Sequence, residues 1–161
     1  MSEGGLAMRR LGVTLWFAVI LLGGSGALAQ SGHVMVGPDE IKWGAAPPSL
    51  PRGAMLAVIE GKPSESGPFT MRLKFPAGFR VAPHFHPAIE HLTVLSGTIH
   101  FGMGDTFEAG KLTPMRAGSF IVMPVGTSHY VEAREETVVQ VHGVGPWGVK
   151  YVNPEDDPSK K

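Results

Sequence analysis

The sequence of 161 residues contains no cysteine. It can form no disulfide and presents no thiolate, so any metal site must be built from nitrogen and oxygen ligands. Net charge is missing as well, because 14 Lys and Arg offset 14 Asp and Glu. With no basic field to draw the chain to phosphates or to an anionic bilayer, nucleic acid and membrane surfaces drop out as partners. Convincing helical periodicity is also absent. In its place stand 22 Gly and 14 Pro, more than a fifth of the chain, a density of turn formers that favours many short strands. A hydrophobic share of 43% separates this composition from that of a disordered chain.

The apolar run at residues 11–22 is too short to serve as a membrane anchor. Its twelve residues would span about 18 Å as a helix, against roughly 30 Å of hydrocarbon. Arg9 and Arg10 precede it, and Ala27-Leu28-Ala29 follows before Gln30. That order is the pattern of a secretory signal peptide over residues 1–29, cleaved after Ala29 to give a mature protein in the periplasm or outside the cell. The paired arginines leave the export route open.

Residues 30–53 carry Pro38, Pro47, Pro48 and Pro51 with little periodicity, the mark of an irregular arm that could cover a strand edge. A β domain is expected over residues 54–152, followed by a polar, flexible tail at 153–161. Within the domain, residues 69–75 alternate, so that Phe69, Met71, Leu73 and Phe75 share an apolar face while Arg72 and Lys74 point away. Further strands are expected at 54–60, 89–95, 98–102, 119–123, 128–133, 137–141 and 147–152. With the extended stretch around residues 84–86 they make about nine, a count suited to an antiparallel sandwich or barrel.

The chemistry lies in two stretches. Within residues 78–97, GFRVAPHFHPAIEHLTVLSG, His84 and His86 are two apart and so project from one face of a strand, and Glu90 has the same parity. Within residues 118–129, GSFIVMPVGTSH, a strand runs into the turn Pro124-Val125-Gly126, which can bring His129 beside the first three. These stretches resemble the two short motifs of the cupin superfamily of small jelly-roll barrels. Gly78, His84, His86, Glu90 and Gly97 fill every position of the first motif. Gly118, Pro124, Gly126 and His129 fill the second, with Ala133 where Asn is expected.

The resemblance implies an all-β, single-domain jelly roll that binds one divalent transition metal, Mn, Fe, Ni, Cu or Zn, through His84, His86, Glu90 and His129. It also makes a homodimer plausible. By strand alternation His91 turns away from such a site, and His100 is taken as structural. His142 is a candidate for the layer behind the ligands, because the late strand can line the barrel. Phe75, Phe79, Phe85, Phe101, Met103, Met123 and Trp147 are candidates for an apolar pocket lip, which would suit a small hydrophobic ligand or substrate. Asp105, Glu108, Glu132, Glu135 and Glu136 read as solvated turn residues, and neither Ser96 nor Ser128 has the setting of a nucleophile. Two functions remain open: metal-dependent conversion of a small molecule, by oxidoreductase, dioxygenase-like or isomerase chemistry, and non-catalytic binding or sensing of a small ligand or metal.

Overall fold

A computed structural model describes Met1 and residues 32–161. The signal-peptide and cleavage assignments lie outside the described residues. The chain divides into two units, Met1–His33 and Val34–Lys161, and the architecture is that of the second.

Eleven strands form it: β1 (Gly44–Ala45), β2 (Met55–Glu60), β3 (Gly67–Phe75), β4 (Phe79–Phe85), β5 (Glu90–Ser96), β6 (Thr98–Met103), β7 (Thr113–Arg116), β8 (Phe120–Met123), β9 (His129–Ala133), β10 (Thr137–Gly145) and β11 (Lys150–Tyr151). Only single 3-10 turns interrupt the strands, two of them in the polar tail, where the Asn153 and Asp157 side chains accept from the backbone N–H groups of Glu155 and Ser159. One sheet runs β1-β2-β3-β10-β5-β8 and the other β11-β4-β9-β6-β7, with every pairing antiparallel. Two such sheets packed face to face are a jelly roll, as the all-β expectation required.

Alternation decides which side of each strand is buried. On β3 the predicted set Phe69, Met71, Leu73 and Phe75 faces the core, and the register sets Leu73 opposite Val139 and Met71 opposite Val141 of β10. The odd positions of β10 therefore join the same apolar layer. The tight link from β5 to β6 turns at Gly97, whose φ of 72° suits a residue without Cβ, and a Cβ there would meet the Glu136 carbonyl. The arm contributes structure of its own: β1 pairs along the edge of β2, and Leu50 is buried in the core.

Three sequence expectations need correction. The strand placed at 147–152 shrinks to Lys150–Tyr151, because the preceding backbone bonds elsewhere: Trp147 N donates to Pro63 O and Gly148 O accepts from His86. A strand at Thr113–Arg116 escaped notice because it pairs only with β6 and turns a single residue, the half-buried Met115, to the core. Glu132 is buried, not solvated, and lies beneath Arg80 at 3.2 Å and Arg134 at 3.6 Å on the outer side of β9.

That outer side also holds the fully buried Tyr130, which packs against Phe107 and lies over Gly102 of β6, where a Cβ would overlap the phenol ring. Gly102→Ala should therefore destabilise the domain by about 1–3 kcal/mol, the usual scale of overpacking. Urea unfolding of the single mutant, and of the same change in a Tyr130→Ala background where the cost should shrink, checks this.

Candidate metal centre

Among the described residues, four of the six buried polar ones stand together: His84, His86, Glu90 and His129 are 5%, 3%, 4% and 2% exposed. Their convergence depends on a change of parity along β4. Phe79 and Val81 face the core at odd numbers, whereas His84 and His86 face it at even ones. The switch falls where the ladder with β9 shifts register, between Val81 and His84, and Pro83 in that interval has no N–H to offer a neighbour. Beyond the shift His84 sits opposite His129. Glu90 opens β5 on the inner side with Leu92 and Val94, and the turn bearing Gly126 is tied to the end of β4 by a Gly126 N–H to His86 O bond of 3.0 Å. That bond holds the two motifs together.

Each histidine is oriented by its Nδ1. Those nitrogens lie 2.8 Å from Ala82 O for His84, 2.8 Å from Gly148 O for His86 and 3.0 Å from Thr127 O for His129. A carbonyl can only accept, so each Nδ1 carries the hydrogen, and a ring in its neutral form then has its lone pair on Nε2. Burial, and then the neighbouring histidines, hold the His84 pKa well below 6.5. Burial lowers His129 too, against an opposing pull from Glu90. Neutral rings with free Nε2 lone pairs are what a cation requires.

The donor set passes a further test. The three histidines present ligand atoms within 4.8 Å of one another and could hold a metal ion. Glu90 Oε2 lies 3.0 Å from His86 Nε2 and 3.6 Å from His129 Nε2. Despite this proximity, His86 Nε2 and Glu90 Oε2 are buried without a hydrogen-bond partner, because with the hydrogen on Nδ1 both atoms are acceptors. Two orphaned buried polar atoms, each costing about 1–3 kcal/mol, are atoms that a shared cation would satisfy.

Packing fixes the rings from behind. Trp147 stacks on His86 with centroids 4.4 Å apart, and Phe101 stacks on His129 at 5.0 Å. The cavity over the site measures only about 30 Å³. That is room for water beside the ligands and not for an organic molecule. Of the predicted lip, Phe75, Phe101 and Trp147 line this cavity, while Met103 is exposed and Phe79 and Met123 pack in the core away from it. Leu50 and Val149 also line it, and neither stood out in the sequence.

His142 does not stand behind the ligands. Val139 and Val141 take the inner positions of β10, so His142 falls on the outer face, stacked on His91 at 5.0 Å and near Phe120. The same stack places His91 outside, as alternation predicted. Ala133, the departure from the second motif, is fully buried where β9 pairs with Phe79 and Ile99, and its carbonyl accepts from Gly78 N at 2.7 Å. The backbone makes the local tie without a side-chain amide.

Residues 31–148 match the family described as the ChrR cupin-like domain. Among solved structures the chain is similar to the polyketide cyclase RemF from Streptomyces resistomycificus, with a TM-score of 0.66 at 16% identity over 80% of this chain and 92% of that one. It is similar to a proposed acetylacetone dioxygenase from Methylibium petroleiphilum PM1, with a TM-score of 0.61 at 19% identity over 81% and 88%. A third likeness is to an RmlC-like cupin from Shewanella frigidimarina NCIMB 400, with a TM-score of 0.54 at 13% identity over 72% and 94%. No curated protein matches the chain. The solved structures share its fold, and the family match spans most of its length, arm included. With both histidine motifs in place on a jelly roll, the chain belongs to the ChrR cupin-like domain family of the cupin superfamily.

Proposed function

We propose that the mature protein is an exported cupin that holds one divalent transition metal on His84, His86, Glu90 and His129 and uses it to oxidise a small molecule. One observation carries this reading: the ionisable groups lining the cavity are these four residues, and apolar side chains with the Trp147 indole make up the rest. Hydrolysis or isomerisation that relies on a separate protein acid or base would find no such group there. A redox-active ion would supply electron transfer with a small molecule or dioxygen. The chain's own part is to keep the imidazoles neutral, aim their Nε2 atoms, and exclude bulk water with Leu73, Phe75, Val81, Leu92 and Phe101. Export is supported by Arg9-Arg10, the apolar run and Ala27-Leu28-Ala29.

A non-catalytic binding or sensing role is favoured by one feature, the small volume beside the ligands. Metal identity separates the two readings. Elemental analysis of natively exported protein should find about one Mn, Fe, Ni or Cu per chain. Zinc alone would shift the assignment to the binding role, and no metal even after reconstitution would end both.

His84→Ala or His129→Ala should weaken metal affinity by more than about 100-fold, beyond the usual effect of removing a group behind a ligand. His91→Ala and His142→Ala should leave it unchanged, since both rings stack on the outer face. Competition with a chelator measures all four.

Acid should act on the metal-free fold as well. Because His84 and His129 are held below 6.5, the folded chain binds fewer protons than the unfolded one from pH 6.5 downward. Stability is therefore fully present above the unfolded value and is lost as pH falls through the folded ones. The urea midpoint of metal-free protein should be lower at about pH 5.5 than at about pH 7.5, and His84→Leu should flatten that difference. Metal affinity should fall over the same window as protons compete for Nε2.

A further inference from the structure

We infer that a second, larger cavity beside the metal centre is the binding site for a small, uncharged, mainly apolar molecule, and that Leu50 and Trp147 form the gate between the two. The substrate class rests on the oxidative reading above; the existence of the pocket does not. The cavity measures about 320 Å³. That lies in the range of ligand pockets, whereas the metal cavity takes water alone.

Its walls come from four places, one of them the β2–β3 loop with Pro63 and Ser64. Leu56, Val58 and Met71 supply the inner face of the β2–β3 edge, Pro47 and Leu50 the arm, and Trp147 the segment before β11. No charged side chain lines it, so an ionic ligand would lose its hydration without gaining a partner. Ser49 and Ser64 are the polar side chains on the wall besides the indole. A molecule of one or two rings, or its aliphatic equivalent, with one or two hydroxyl or carbonyl oxygens fits that chemistry.

The gate follows from which residues belong to both cavities. Leu50, Leu73, Trp147 and Val149 line the metal cavity and the larger pocket alike, so they form the partition. Leu73 is fixed in β3 at the centre of the sheet. Leu50 and Trp147 stand on irregular segments, with Leu50 N bonded to Pro47 O in a turn and Tyr151 Oη donating to Ser49 O at 2.8 Å. Trp147 Nε1 is buried with no hydrogen-bond partner, unusual for an indole N–H. A shift of the ring, or the arrival of an oxygen acceptor, would give it one.

Calorimetric titration of metal-free and metal-loaded protein with 2-naphthol and with anionic 2-naphthalenesulfonate tests the pocket. The naphthol should bind in both states, and the sulfonate at least about tenfold more weakly. Val58→Trp should cut naphthol affinity by about tenfold or more with melting temperature unchanged, because Val58 is 48% exposed and the fold can carry the bulk. Equal affinity for the two probes, no naphthol binding, or binding untouched by Val58→Trp overturns the site. For the gate, diethylpyrocarbonate should acylate His84, His86 and His129 several-fold faster in metal-free Leu50→Ala than in wild type, with exposed His33 as the unchanged reference. Wild-type rates in that variant overturn the gate. Both tests run without metal, so failure of metal binding would overturn the oxidative reading and leave the pocket to be decided on its own results.

Discussion

Three hydrogen bonds from imidazole Nδ1 to backbone carbonyls govern what this barrel can do. The carbonyls of Ala82, Gly148 and Thr127 each accept one such bond, and in doing so they set the tautomer, the ring plane and the direction of the Nε2 lone pair. At His84 and His129 the carbonyl bond raises the ring pKa, but burial outweighs it and the net shift is downward. The result is a buried cluster of neutral donors beside one acid, in surroundings otherwise apolar. In a dry site of this kind unsatisfied polar atoms are expensive, a cost that a shared cation would relieve.

Much of the site was legible because strand geometry is periodic. Two histidines at i and i+2 must share a face, and the Pro-Val-Gly turn returns the chain to the strand beside them. What could not be read is the register. Counting from Val81 along an unbroken strand would send His84 outward, and only the shift at Ala82-Pro83 brings it inside. The His142 assignment failed for the opposite reason. The pattern Val139-Gln140-Val141-His142 marks the valines as the buried pair and leaves the histidine on the outer face.

Features that depend on distant pairing were the least visible. Trp147–Val149 has the composition of a strand, yet its polar groups are taken by Pro63 and by His86, so no ladder forms there. Leu50 sits in a proline-rich stretch with no period to mark it as core. Its burial comes from the arm folding back along β2 and from the Tyr151 phenol holding Ser49, contacts separated by long stretches of chain. Burial raises the pKa of that phenol and keeps it a donor through the neutral range.

The segment from Trp147 to Val149 joins the two cavities mechanically. Its indole stacks on His86, its Gly148 carbonyl orients the same ring, and its side chains form part of the larger pocket's wall. A molecule that filled that pocket would press on the residues that aim Nε2 of His86. His84 and His129 have no such exposure, since their carbonyl partners lie within two residues on their own strands or turns. The site is therefore asymmetric: two rings are set by local backbone, and the third depends on a long-range contact that borders the space where a ligand would lie. Any influence of an occupant on the metal centre has its most direct route through His86.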